Sequence, residues 1–242
     1  VINYALGKGS LVVTASGNNS LFTDKTQFYP GGYEGVLNVG ASSLSDRPSS
    51  FTNYGSDVTV YAPGDDIYST FPNNRYQTFS GTSFSAPLVA GICGLIKAKH
   101  PDWTPQMITH QIRSTADLLN GVSSSDRQYY YGRVNAERAL KFNASFTSGD
   151  RLPGIGVNSV QAGGSGIITN YDPTPVTLEL KNYLASASNV KVTITPRSNN
   201  AVISGSNTIT VPNFNHDQTE SLNITVQLKP TFPWYEANLN FI

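Results

Sequence analysis

From Ser83 to Lys99 nearly every residue is apolar or small, with PLVAGICGLI at the centre and no polar position recurring at helical spacing. Such a stretch predicts a helix buried on most sides, and Gly91 and Gly94 within it predict close packing against strands. Upstream, LVVTASGNNS (Leu11 to Ser20) reads as a buried strand of β-branched residues running into a Gly-Asn turn. VINYALGKGS, at the start of the chain, reads as the last turns of a helix stopped at Gly7 or Gly9. Downstream, Thr104 to Ala116 has a Thr cap, Pro105 at the first helical position, and Met107, Ile108 and Ile112 on one face. In YYYGRVNAERALKF (Tyr129 to Phe142) Gly132 ends a turn and Asn135 caps a short helix. The helical pattern then stops. From about Leu152 short alternating segments take over, VTLELKNYL, NVKVTITPR, TITVPNF and SLNITVQL, separated by Asn, Gly, Ser and Pro turns, which is the pattern of a β-sandwich. The expected organisation is an α/β domain over 1–145 and an all-β domain over 146–242.

Composition narrows the partners more than the fold. A chain of 242 residues is long enough for one large or two ordinary domains. Charged residues make up 13% and balance to a net +0, which gives nucleic acid or an anionic membrane nothing to bind. The longest apolar run, Pro87 to Ile96, is too short and Gly-broken to span a bilayer. Cys93 has no second cysteine to pair with. It reads as a packed core thiol, because nothing near it in sequence would lower its pKa to make it a nucleophile. Asp172 and Asp217 read as solvated turn carboxylates, with calcium ligation as the alternative and no clustered ligand set to favour it. Asn18, Asn143 and Asn223 each begin an N-x-Ser/Thr triplet, which chance accounts for. No signal peptide precedes Val1, as expected of a chain whose native N-terminus lies further upstream.

The chemistry concentrates at SGTSFSAP, where a small-residue turn delivers the Ser83 hydroxyl onto the first turn of the long helix. A helix start carries unpaired N–H groups and the positive end of the dipole, both of which favour negative charge on a nearby substrate oxygen. Taken alone, a GTS triplet is equally the Ser/Thr cap of an ordinary helix. GTSFSAP followed by LVAG, however, resembles the nucleophile motif of the subtilisin-like serine proteases, and that resemblance assigns Ser83 as the nucleophile. LVVTASGNNS is similar to the family's strand ending in an A-x-G-N oxyanion-hole segment, which makes Asn18 the side-chain donor. The two residues stand 65 positions apart, an interval similar to the family's. Between them TQFYPGGYEGVLNVGAS (Thr26 to Ser42) and FTNYGSDVTVYAPGDDIYST (Phe51 to Thr70) look like further family landmarks in family order. HPDWTPQ and the segment closing at Phe142 extend the likeness.

The resemblance implies the C-terminal part of a doubly wound, mostly parallel α/β sheet, followed by an immunoglobulin-like sandwich. It also implies a secreted, bacterial serine endopeptidase acting on protein or peptide substrates, with no cofactor required for the chemistry. Ala15, Ser16 and Gly17 match the segment that lines the first specificity pocket and pairs with substrate backbone; their uncharged wall suggests a small-to-medium apolar residue before the scissile bond. Phe84 stands where the family often has Met, adding bulk on the leaving-group side and removing an oxidisable thioether.

The catalytic set is incomplete, since a serine alcohol needs a base, usually a His oriented by a buried carboxylate. In the family the Asp and His motifs precede the oxyanion segment, and they do not occur in the residues before Asn18. His100 reads as a cationic cap at the end of the long helix, together with Lys97 and Lys99. His110 reads as a surface residue of the next helix, and His216 lies in a polar turn. On this reading the chain needs the upstream part of its catalytic domain and is inactive alone. The alternative, from a different class, is a degenerate protease used as a binding or structural module.

Overall fold

The computed structural model describes residues 1–123, 126, 130–141, 154–163, 171–196 and 201–229. The chain divides into two compact units, Val1–Asn143 and Ala144–Ile242. The predicted boundary at 145, Asn143 and the apolar C-terminal segment PTFPWYEANLNFI lie outside the described residues.

In the first unit a short helix, α1 (Ile2–Gly7), leads through Gly9, at φ +80°, into strand β1 (Val13–Ala15). Strands β2 (Leu37–Ser42) and β3 (Val58–Pro63) are rich in small and β-branched residues, and all but Pro63 are buried. They form a parallel sheet in the order β1-β2-β3, with Val13 opposite Leu37 and Gly40 opposite Tyr61. Burial on both faces is what a parallel sheet requires and what the unbroken apolar strands predict. An antiparallel pair, β4 (Ile67–Phe71) and β5 (Arg75–Phe79), follows, with every β5 residue exposed. Helix α2 (Thr82–Lys99) then crosses the sheet, and α3 (Pro105–Ser114) and α4 (Ala136–Lys141) complete the unit.

Helix α2 differs from its expected burial. Thr82, Ser85, Val89, Cys93 and Ile96 are buried at helical spacing, whereas Leu88 and Leu95 are 45% and 56% exposed. A uniformly apolar sequence carries no signal of which face is covered, so one packed face is all the pattern guarantees. Gly91 and Gly94 are also exposed, and a Cβ at either would meet nothing within 4 Å, so neither serves close packing against strands. Caps fall where expected: Thr104 Oγ1 accepts from Met107 N at 3.3 Å, and Asn135 Oδ1 from Arg138 N at 2.9 Å.

Around α4 the backbones of Asp117 and Arg133 exchange two hydrogen bonds of 2.8 Å. The Asp117 carboxylate receives Asn135 Nδ2 at 2.7 Å, Arg138 Nη1 at 3.0 Å and Arg133 Nη2 at 3.2 Å. Burial pushes this carboxyl up, but those hydrogen bonds and the two guanidinium charges outweigh it and hold its pKa below the usual 3.8. A carboxyl whose pKa is depressed by folding adds stability that is full above the unfolded pKa and is lost as pH falls through the folded one. Asp117→Asn should therefore flatten the acid limb: denaturation midpoints measured between about pH 5 and 2 fall less steeply than in the native protein. Parallel slopes would contradict this.

The second unit has antiparallel strands: β6 (Ile155–Ala162), β7 (Thr174–Asn182), β8 (Ala187–Thr193), β9 (Ala201–Ser204), β10 (Thr208–Phe214) and β11 (Thr219–Leu228). They form a four-stranded sheet, β6-β7-β11-β9, and a two-stranded one, β10-β8. Val176, Leu178, Leu222, Ile224 and Val226 alternate inward as the pattern predicts. Leu180 of the larger sheet shares a cluster with Val211 and Phe214 of the smaller. Strands β6 and β9 go beyond the four predicted, because β6 breaks its alternation at a bulge between Val157 and Ser159 and β9 has only four residues. Fully buried Asn182 organises a corner, its Nδ2 donating to Ala185 O at 2.7 Å and to Phe214 O at 2.9 Å. Asp217 pairs with Lys181 at 2.7 Å, which holds its carboxyl below the usual range.

Candidate active site

Gly81 and Gly64 fix where the long helix begins. Gly81 N donates to Gly64 O at 2.7 Å, and Gly64 N to Ser42 O at 3.0 Å. A Cβ on Gly64 would lie 2.2 Å from Ser85 Oγ and 2.8 Å from the Ala41 Cβ, so only glycine lets the loop after β3 approach the helix this closely. Ser85 Oγ in turn donates to Ala62 O at 2.9 Å, tying the first turn of α2 to β3. Ser83 is left exposed on that turn, with no hydrogen bond among the described residues.

Asn18 reaches the same helix start from the end of β1. Its Oδ1 accepts from Thr82 N at 2.9 Å and from Thr82 Oγ1 at 2.8 Å. The hydroxyl of Thr82 also accepts from Gly17 N at 3.2 Å. The Thr82 N–H defines the orientation of the amide, because a flipped NH2 would meet it head-on, whereas the hydroxyl could turn to accept. Nδ2 is thereby turned away from Thr82 and has no partner among the described residues. Beside Thr82, the residue before Ser83, stands an oriented, neutral hydrogen-bond donor at a helix N-terminus, a kind of group able to stabilise an oxyanion.

Ala15 pairs with Val39 in the sheet, while Ser16 N donates to Val39 O at 2.9 Å. Ser16 and Gly17 are buried, Ala15 is half-buried, and Gly17 adopts φ +101°. A Cβ at Gly17 would strike Asn53 Nδ2 at 2.5 Å and the Phe28 ring at 2.9 Å. Ser16 and Gly17 thus use their backbone groups internally, Gly17 O accepting from Asn53 N at 2.9 Å.

Asn53, unnoticed within FTNYG, is fully buried and holds this whole segment. Its Nδ2 donates to Ser16 O at 2.8 Å, and its Oδ1 accepts from Asn19 N and Leu21 N, both at 3.0 Å. A lone Asn ahead of a tyrosine reads as a turn residue, and the only further signal was its place inside an otherwise matching motif. Thr82 is hidden for a similar reason: its position reads as a cap for the helix, whereas its hydroxyl is a peg between Gly17 and Asn18.

Among the described residues no histidine of the first unit is hydrogen-bonded to Ser83. His100 lies 17 residues along the helix from Ser83, about 25 Å away at ~1.5 Å per residue. Burial, then Lys99, lowers its pKa and so disfavours the cationic form that a cap would use, and its ring stacks on Trp103 at 4.0 Å. His110 is half-buried rather than on the surface, and burial, then Arg113, brings its pKa to about 4. His216 sets Nδ1 2.8 Å from Leu184 O in the second unit. Burial pushes the Cys93 thiol up to about 12, which leaves it neutral and unreactive. Among the described residues no three His, Cys, Asp or Glu side chains gather to hold a metal, and no helix is long and apolar enough to cross a membrane.

Comparison with known proteins points to one family for the first part of the chain. The sequence pattern of the Subtilase family matches residues 1–132. A thermophilic serine proteinase of Bacillus sp. (strain AK1) is 43% identical over 141 residues, 58% of this chain and 33% of that protein. Thermitase of Thermoactinomyces vulgaris is 39% identical over 141 residues, 58% of this chain and 48% of its own. Among solved structures, a protease from Pseudoalteromonas arctica PAMC 21717 superposes with a TM-score of 0.53 at 31% identity, covering 57% of this chain and 44% of that one. The chain therefore spans between a third and a half of the length of such relatives.

Proposed function

Since the chain belongs to the subtilase family, we propose that it carries the nucleophile and oxyanion hole of a secreted serine endopeptidase. The observation that carries this reading is the Asn18 amide, held by Thr82 with Nδ2 free at the helix start that presents Ser83. Ser83 Oγ bonds to the carbonyl carbon of the scissile peptide and passes its proton to an imidazole. The carbonyl oxygen becomes an oxyanion that accepts from Asn18 Nδ2 and Ser83 N–H. Collapse breaks the C–N bond, the imidazolium protonates the departing amine, and water then releases the acyl group by the reverse sequence.

We take the base and its orienting carboxylate to come from a part of the catalytic domain outside these 242 residues, because none of the three histidines lies in a segment resembling the family's His motif. The present chain alone is then inactive. Ala15, Ser16 and Gly17 form the wall of the pocket for the residue before the scissile bond. The Phe28 ring against Gly17 narrows that pocket and favours a small-to-medium apolar side chain. The second unit is an immunoglobulin-like sandwich that stabilises or positions the peptidase, a reading supported by its two antiparallel sheets and shared clusters. The chemistry needs no cofactor, and calcium, where present, is structural. In full-length protein a fluorophosphonate should label the native enzyme and spare the Ser83→Ala variant. Equal labelling of the two would rule out Ser83.

A further inference from the structure

Asn120 is the one asparagine of this chain that precedes a glycine. The pair forms an exposed turn beyond α3, with Gly121 at φ +72°, a conformation that glycine adopts without strain. Asn120 fastens this turn to the loop of residues 43–47: its backbone N donates to Asp46 O at 2.7 Å and its Nδ2 to Ser45 O at 3.1 Å. The Gly121 N–H has no acceptor among the described residues. Beside it stands the Arg47 side chain, since a Cβ on Gly121 would lie 3.5 Å from Arg47 Nε and 3.7 Å from Arg47 Cζ. Among the described residues Arg47 makes no ion pair, and the neighbouring Asp46 carboxylate is taken up by Arg133 Nε at 2.8 Å. An uncancelled positive charge therefore faces the glycine of an Asn-Gly turn.

We propose that Asn120 is a self-modification site, which converts in the folded protein to aspartate and isoaspartate, with the Arg47 guanidinium promoting the reaction. Gly121 N gives up its proton to solvent and attacks Asn120 Cγ. A C–N bond forms and closes a cyclic imide, the Cγ–Nδ2 bond breaks, and Nδ2 leaves as ammonia. Water then opens the imide at either carbonyl, and no oxidant or reductant takes part. Glycine puts no side chain in the path of the attacking nitrogen. A cation beside that nitrogen favours its deprotonated form, as an opposite charge does for any ionising group. Other asparagines lack these features: Asn53 is fully buried with both ends of its amide bonded and is followed by Tyr54, and Asn18 is followed by Asn19. Conversion removes the donor to Ser45 O, and isoaspartate also lengthens the backbone between Asn120 and Gly121, so the 43–47 loop loses part of its anchor with age. The proposal does not depend on the reading of Ser83.

The full-length enzyme is kept at mildly alkaline pH, with fluorophosphonate present against self-digestion, and samples are mapped by mass spectrometry after a short acidic digest. The peptide containing Asn120 should change from amide to acid, as a mixture of aspartate and isoaspartate, faster than any other asparagine peptide. Arg47→Gln should slow that change about fivefold, the effect of one unit charge a few ångströms away in a watery setting. Arg47→Lys should restore most of the rate. In enzyme unfolded in urea, where Arg47 no longer stands by the turn, the native and Arg47→Gln chains should convert equally fast. Converted enzyme should also unfold at a lower urea concentration than fresh enzyme, and an unchanged midpoint would contradict the loosening of the loop. No acid form at Asn120, equal rates for native and Arg47→Gln in the folded state, a Lys variant as slow as the Gln variant, or an equal Arg47 effect in urea would each overturn the proposal.

Discussion

Replacing Asn18 by Ala should lower the kcat of the full-length enzyme by about 10²–10³-fold with KM little changed, a magnitude taken from the oxyanion-hole asparagine of subtilisin, in this same family, rather than obtained from this chain. A donor that engages only the tetrahedral state adds nothing to ground-state binding, so the loss appears in kcat. Asn18 has a second task that has to be separated from the first. Its Oδ1 caps Thr82 N at 2.9 Å, and losing such a cap costs about 1 kcal/mol of stability. Asn18→Asp separates the two, because a carboxylate still caps the helix and suits its positive end. It cannot donate, and it repels an oxyanion. The Asp variant should thus be as stable as the native enzyme while losing at least as much kcat as the Ala variant. An Asp variant with near-native kcat would show that Asn18 is a cap and nothing more.

Asn53→Ala should be strongly destabilising, at about 2–4 kcal/mol, since a buried polar group left unpaired, as Ser16 O would be, costs ~1–3 kcal/mol and the two part-buried N–H groups less. Three backbone groups lose their partner at once: Ser16 O, Asn19 N and Leu21 N. Against a typical domain stability of roughly 5–15 kcal/mol this is a large fraction, and it shifts the urea midpoint accordingly. Activity falls as well, because these bonds set the segment that aims Asn18. Asn53→Asp should keep the two acceptor contacts and recover part of the loss. A loss below about 1 kcal/mol in Asn53→Ala would mean that the sheet alone holds the segment.

The residues that name the chemistry were the most readable, because both sit where a local pattern changes. Ser83 stands at the switch from a small-residue turn to an apolar helix, and Asn18 at the switch from strand to Gly-Asn turn. What supports them was not readable, since it acts across long stretches of sequence: Asn53 on Asn19 over 34 residues, Thr82 on Asn18 over 64, and Gly64 on Ser42 over 22. Alternation in the sequence located β7, β8, β10 and β11, of which β7 and β11 divide their faces cleanly, and missed β6, where a bulge interrupts the period, and four-residue β9. The long helix was placed well and its burial misjudged, as a stretch without polar residues looks the same from every side. Histidine protonation is likewise out of reach of the sequence, because the pKa values of His100 and His110 are lowered by burial that only the packing creates.

The central claim is that Ser83 Oγ is the atom that takes up the acyl group. The most direct measurement is peptide mapping by mass spectrometry after the full-length enzyme has reacted with a fluorophosphonate. The expected result is one covalent adduct, on the peptide containing Ser83, formed far more slowly in Asn18→Ala and not at all in Ser83→Ala. A folded enzyme that takes up no adduct, or carries it on another residue, would contradict that assignment.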